Sequence, residues 1–241
     1  MNKFLTLMMC IASIISGFSA AHQVDGDMEN ILVSASLLPI TSKRSANAIT
    51  IIGSDQIKNR AVVSVSDLLR DVAGLAVSRS GVQGSQTQIR VRGGEANHLL
   101  VLIDGVEVNN PSQNDEFNWG NLVASDIERI EVIRGPQSSM LGSDAMAGVV
   151  NIITRSADQP LSTNIFSEIG SFNTQNNGIS IGLKDGAFDM RLGISDLQTD
   201  GDNISRSGSE KDGYENTNLN LKSGWRVSNQ LNLTFAARQS D

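Results

Sequence analysis

The sequence predicts an α+β domain followed by the opening antiparallel strands of a transmembrane β-barrel. Three observations predict it: a secretory leader, a middle zone of short strand-like runs and helical stretches broken by turn signals, and a C-terminal zone of long strict alternation. Composition agrees. The 241 residues hold 22 glycines, 4 prolines and only 4% aromatics, which suits a turn-rich β protein better than a helical bundle. The formal charge of -7 argues against a nucleic-acid partner, because phosphate binding wants clustered Lys and Arg. No apolar run beyond residue 21 approaches the roughly 20 residues of a spanning helix. Spanning strands alternate and leave no such mark on hydropathy.

Residues 1–21 form the leader. Met1, Asn2 and Lys3 give a positive start, Phe4 to Phe18 is apolar, and Ser19-Ala20-Ala21 places small residues where a signal peptidase cuts. Cys10, the sole cysteine, stands behind Met8-Met9 where a lipoprotein leader needs a small residue, so no lipid anchor is expected. Cleavage after Ala21 would leave a mature chain without thiol or disulfide chemistry.

Residues 22–45 are polar and weakly patterned apart from Ile31-Leu32-Val33. Such a run fits capture as an added strand by a partner's sheet edge. It also fits an edge strand of the following domain, and the residues alone favour the edge strand.

Residues 46–156 read as the α+β domain. Ile49 to Ile52 is a strand, and Ser54 with Asp55 is expected to cap a short helix. Ser64 to Val72 predicts a second helix, with Val65, Leu68, Leu69 and Val72 on one face and Gly74 closing it. Strands are expected at Leu75 to Ser78, Gln88 to Arg92, Leu99 to Ile103, Ile130 to Arg134 and Gly148 to Thr154. Gly93-Gly94, Asp104-Gly105, Gly135-Pro136 and Gly142 between them are turn chemistry.

Over 161–241 the period becomes two. Ile179, Ile181 and Leu183 alternate with Ser180, Gly182 and Lys184, and after Asp185-Gly186 the pattern resumes at Phe188, Met190, Leu192 and Ile194. It returns at Leu219, Leu221, Trp225 and Val227, turns at Ser228-Asn229-Gln230, and continues with Leu231, Leu233, Phe235 and Ala237. Each run approaches the 9–11 or so residues of a tilted spanning strand. Alternation alone fits a soluble β-sandwich as well; the leader and the contrast of short turns with the long connection Gln198 to Gly213 favour the membrane. An open sheet cannot sit in lipid, and bacterial barrels have roughly eight strands or more. The strands here are therefore expected to open a longer barrel.

Ile89-Arg90-Val91-Arg92-Gly93-Gly94, Leu99 to Val106, Ile127 to Pro136 and Leu141 to Thr154, in that order behind a leader, resemble the plug domain of TonB-dependent outer-membrane receptors. The resemblance extends over the whole mature chain. It implies that Glu29, Asn30, Ile31, Leu32, Val33, Ser34 and Ala35 are the TonB box, overriding the edge-strand reading. It further implies a monomer in the bacterial outer membrane, a plug filling a barrel of about 22 strands, and uptake driven by the inner-membrane TonB complex. Arg92 and Arg134 match plug arginines that face acidic barrel residues; local hydrogen bonding to turn carbonyls is the alternative.

Within the family the wording of Gly93 to Val106 and of Gly142 to Thr154 is most similar to the vitamin B12 receptor branch, with a ferric siderophore receptor as the alternative. The resemblance places cobalamin contacts at Gln86, Gln88, Glu95, Gln113 and Asn114, although Glu95 stands where a neutral amide is usual. It matches Asp202, Glu210, Asp212 and Asp241 loosely to calcium ligands of an extracellular loop, against a plain solvated acidic loop. No other cofactor is implied. Enzyme chemistry finds little footing: His22 and His98 are the only histidines, and neither a Gly-x-Ser-x-Gly elbow nor a phosphate loop occurs. A secreted β-rich adhesin or binding module, and a secreted hydrolase, are the competing classes.

Overall fold

A computed structural model describes residues 32–33, 40–41, 48–205 and 207–241. The leader and most of the 22–45 segment lie outside the described residues. Two short strands, β1 (Leu32–Val33) and β2 (Ile40–Thr41), pair antiparallel ahead of the α+β domain.

That domain contains β3 (Ala48–Ile52), helices α1 (Ser54–Arg60) and α2 (Val65–Leu69), β4 (Leu75–Arg79), β5 (Thr87–Val91), β6 (Leu99–Ile103), β7 (Val106–Glu107), β8 (Ile127–Arg134), α3 (Ser138–Leu141) and β9 (Gly148–Thr154). One sheet runs β3-β8-β9-β6-β7, with β6 and β9 parallel and the other pairs antiparallel; β4 and β5 form a separate hairpin. Leu99, Leu100, Val101 and Leu102 are all buried, as a strand covered on both faces must be. One face carries the main core with Leu68, Leu69, Val101, Ile130, Val132, Val150 and Ile152. The other carries a smaller cluster of Leu100, Leu102, Ile133, Ala145 and Val149.

Both helices differ in detail from the sequence expectation. Gly53, not Ser54, is the N-cap of α1; its carbonyl accepts from Ile57 N–H at 3.0 Å while its own N–H donates to Gln56 Oε1 at 3.3 Å. Helix α2 spans five residues, because its tail tightens into i→i+3 bonds such as Val72 N–H to Leu69 O at 3.2 Å. Gly74 then reverses the chain at φ +86°. The face Val65, Leu68, Leu69 and Val72 is nevertheless fully inside, as its spacing requires.

Strands β10 (Leu161–Gly170), β11 (Thr174–Asp185), β12 (Phe188–Thr199), β13 (Tyr214–Arg226) and β14 (Asn232–Ser240) form a sequential antiparallel sheet. Asp185 pairs with Phe188, so the hairpin loop is Gly186-Ala187, one residue later than the Asp-Gly signal suggests. Val227 N–H donates to Leu231 O at 3.0 Å and closes the three-residue turn 228–230 as expected. One rim holds these two turns. The other holds Ser171-Phe172-Asn173 and the long connection 200–213.

The register defines two opposite faces. Rows Ile165-Ile179-Ile194-Leu219 and Ile181-Leu192-Leu221-Ala237 point away from the α+β domain; Ile165, Ile181, Leu192, Ile194 and Leu219 are extensively exposed, as are Trp225, Leu233 and Phe235, while Ile179 and Leu221 are half-buried. The opposite face points toward that domain and buries Ser180, Arg191, Ser195, Asn216 and Asn218. A sandwich sheet would put its apolar face inside. Here the polar face is inside and the apolar face outside, the pattern of a barrel whose exterior meets lipid.

Candidate functional site

The upper end of the α+β domain is built from the β4–β5 loop and the 109–121 segment. Ser80 donates from both N and Oγ to Gln86 O at 3.0 Å, which narrows the loop and presents Gln86 to solvent. Gly84 at φ +82° faces the ring of Tyr214 from β13, and a Cβ at position 84 would overlap that ring. The Tyr214 hydroxyl donates to Asn121 Oδ1 at 3.1 Å. Gln88 Nε2 donates to Glu116 Oε2 and accepts from Arg90 Nη2 at its Oε1, both at 2.8 Å. Gln113 ends a 3₁₀ turn capped by Asn110, and Asn114 follows at φ +56°. Gln86, Gln88, Gln113 and Asn114 thus belong to one end of the domain. Glu95 does not join them. It follows the opposite end of β5, about 13 Å along a strand of this length, where its carbonyl accepts from His98 N–H at 3.1 Å.

Sequence reasoning missed the side chains that hold this end together. Asn109 accepts from Val101 N–H at 2.8 Å and donates to Leu99 O and Asp115 O at 3.0 and 2.7 Å. Trp119 is buried edge-on to Phe117, with ring centres 4.9 Å apart. An asparagine before Asn110-Pro111 reads as one more turn residue, so only its buried partners reveal it.

Below this end the domain meets the inner face of the sheet through ion pairs. Asp126 Oδ1 accepts from Arg191 Nε at 3.0 Å, and Asp104 Oδ1 accepts from Lys222 Nζ at 2.7 Å. Lys222 also donates to Thr154 O at 2.8 Å, and Arg191 Nη2 to Ser180 Oγ at 2.6 Å. Asp104 sits in its turn at φ +51° as the Asp-Gly signal predicts, and its carboxylate also accepts from the Thr154 N–H and hydroxyl. Burial pushes the Asp126 carboxyl above its ordinary range, with the Arg191 hydrogen bond and charge opposing it.

Residues 41–149 match the TonB-dependent Receptor Plug Domain. The chain belongs to the TonB-dependent receptors. Among curated relatives, the Vitamin B12 transporter BtuB of Vibrio vulnificus is 33% identical over 159 residues, 66% of this chain and 26% of that protein. The ferric yersiniabactin uptake receptor FyuA from Yersinia pestis shares the fold, with a TM-score of 0.67 at 22% identity over 82% of this chain and 32% of that one. The siderophore receptor PirA from Pseudomonas aeruginosa gives a TM-score of 0.59 at 28% identity, covering 82% of this chain and 36% of that one. The chain therefore spans about a quarter to a third of the length of these relatives. TonB-dependent receptors are proteins of the bacterial outer membrane, so the α+β domain is the plug and the apolar exterior of the sheet faces lipid.

In this receptor Arg134 is satisfied within the plug. It donates from Nη1 to Ala73 O at 2.5 Å, from Nη2 to Thr50 Oγ1 at 2.7 Å and from Nε to Ala48 O at 3.3 Å. Arg92 stands at φ +50°, its N–H donating to Gly74 O at 2.8 Å. Gly74 separates the two arginines: a Cβ there would lie 3.6 Å from Arg134 Cδ and 3.7 Å from Arg92 Cγ. Of the Glu29–Ala35 segment, Leu32 and Val33 alone are among the described residues, in β1; the others lie outside them.

In the 200–213 connection Asp212 Oδ2 accepts from Ile204 N–H at 3.1 Å, Asp202 Oδ1 from Asn203 N–H at 2.8 Å, and Asp200 pairs with Lys211 at 3.3 Å. Glu210 is exposed, and Asp241 pairs through its backbone with Thr217 on β13. Among the described residues no group of three or more His, Cys, Asp or Glu is assembled as a metal site.

Proposed function

We propose that this receptor takes up cobalamin across the outer membrane, energised by TonB acting on Glu29–Ala35. The observation that carries the ligand is the 33% identity to a vitamin B12 transporter over 159 residues. The chemistry of the plug's upper end supports it. Gln86, Gln88, Gln113 and Asn114 offer amide donors and acceptors, and the charged residues of segments 86–90, 113–116 and 199–215 are mostly acidic: Asp115, Glu116, Asp200, Asp202, Glu210, Asp212 and Glu215 against Arg90, Arg206 and Lys211. A field of that sign repels polyanionic iron chelates and accepts a neutral or cationic ligand. A ferric siderophore is the second reading, favoured by structural neighbours such as a ferric enterobactin receptor from Pseudomonas aeruginosa at 26% identity and TM-score 0.62.

Uptake of cyanocobalamin by cells making the full-length receptor tests this. Uptake should need TonB, and Leu32→Pro should abolish it while leaving binding intact, because proline lacks the N–H that strand pairing uses. Uptake of a ferric siderophore but not cyanocobalamin would establish the second reading. We further propose that the receptor acts as a monomer and that calcium binds the acidic loop through Asp202, Glu210, Asp212 and Asp241. Calorimetry should then show calcium binding weakened by Asp202→Ala; no heat in the parent would end the calcium proposal.

A further inference from the structure

Transport requires the plug to give way somewhere along its contact with the barrel. We propose that the wall formed by β12 and β13 is not that place: the plug stays fastened to it throughout transport, and the ligand passes on another side. This rests on the transport reading above.

The fastening is made of buried charge. At the Asp126–Arg191 pair the side chains are 15% and 8% exposed, and at Asp104–Lys222 they are 6% and 15% exposed. Separating a buried pair leaves both charges uncompensated in a poorly hydrated junction. The penalty is compounded here because Arg191 and Lys222 are direct cross-strand partners. Two like charges in that position repel, and the plug carboxylates are what neutralise them. A wall that lost the plug would be left with facing cations on neighbouring strands.

Further contacts lie along the same wall. Ser125 Oγ lies 3.5 Å from Ser195 Oγ on β12, and Tyr214 at the top of β13 bonds Asn121. The connection from plug to sheet starts here too, with Arg155 N–H donating to Asp126 O at 3.0 Å. Burial lowers the Arg155 guanidinium from its ordinary value, which marks the same low hydration. Ion pairs, hydroxyl contact and covalent tether all hold one side of the plug.

Ser125 and Ser195 supply the test, since their hydroxyls are near enough for a cysteine pair to bond with modest side-chain rotation. The full-length receptor carries Ser125→Cys and Ser195→Cys, with any cysteine beyond residue 241 changed to serine. Cyanocobalamin uptake is compared before and after oxidation, with bond formation checked by mass. Uptake after oxidation within twofold of the reduced form supports a fixed wall. A drop of more than fivefold that dithiothreitol reverses overturns it. Failure of the transport reading shows separately, as absence of uptake by the unsubstituted receptor. In that event labelling of the single Ser195→Cys variant by an impermeant maleimide carries the test. Equal labelling with and without TonB supports the proposal, and greater labelling with TonB overturns it.

Discussion

The plug sheet and the barrel sheet obey opposite rules with the same residues. In the plug, Leu68, Leu69, Ile130 and Ile152 are wholly inside, and helices or loops cover both faces of the strands. In β10–β14 most leucines and isoleucines, such as Ile165, Ile181, Leu192 and Ile194, are on the exposed side, and Arg191, Asn216 and Asn218 are buried on the other, with Leu197 the one buried leucine among them. Each sheet hides what its surroundings would not solvate. Water surrounds the plug's exposed parts, whereas lipid surrounds the sheet and the plug itself supplies its polar interior. The contact between them is therefore polar on both sides, so hydrogen bonds and ion pairs carry it where hydrophobic burial carries the plug core.

The sharpest way to break that comparison is to remove one charge from the contact. Arg191→Leu should destabilise the plug–sheet junction of the full-length receptor by about 3–5 kcal/mol, because it leaves Asp126 buried and unpaired. Thermal unfolding in detergent would measure it, and adding Asp126→Leu should recover much of the loss. A single-variant loss below about 1 kcal/mol would mean that water reaches the pair.

Next in size is the contrast between the two kinds of leucine. Leu68→Ala should cost roughly 3 kcal/mol through the cavity it leaves in the plug core. Leu192→Arg, on the lipid face, should cost about 2 kcal/mol or more and reduce the yield of folded receptor. Leu192→Arg with no effect on folding in vesicles would contradict the assignment of that face to lipid.

The smallest effect concerns pH. Burial, then the hydrogen bond and charge of Asp144, then the charge of Asp115, raise the Glu107 carboxyl above 4.5. A raised acid stabilises the fold when protonated, so this contribution is present below the ordinary carboxylate value and is lost as pH rises through the raised one. Glu107 is exposed, so the change should stay below about 0.5 kcal/mol after solvent screening. Glu107→Gln should flatten the pH dependence of plug unfolding between the two values; an unchanged slope would show that another group titrates there.

The two sheets also differ in how much of them can be read from the chain. Alternation from Ile179 to Ile194 marks strands and their apolar side because side chains in a strand repeat every two residues. The hairpin loop nevertheless falls at Gly186-Ala187, since Asp185 continues the ladder to Phe188 and local turn preference yields to pairing. Likewise Gly53 replaces Ser54 as the cap because the backbone becomes helical one residue early. The amides Gln86, Gln88, Gln113 and Asn114 come from resemblance, and three-dimensional placement separates Glu95 from them. The pairs Asp126–Arg191 and Asp104–Lys222 leave no local mark at all. They join positions 65 and 118 residues apart, and each member alone looks like an ordinary polar residue on an inward or turn position.

The side-by-side placement of Arg191 and Lys222 also constrains the order of assembly. Strands β12 and β13 bring these two cations together as soon as they pair, yet the acids that offset them belong to a domain completed earlier in the chain. Pairing of the strands before the plug has folded meets electrostatic resistance; pairing against a finished plug does not. The repulsion amounts to about 1 kcal/mol or less, so a variant slow to fold its plug should pair these two strands slightly less readily, an effect that Lys222→Gln should remove.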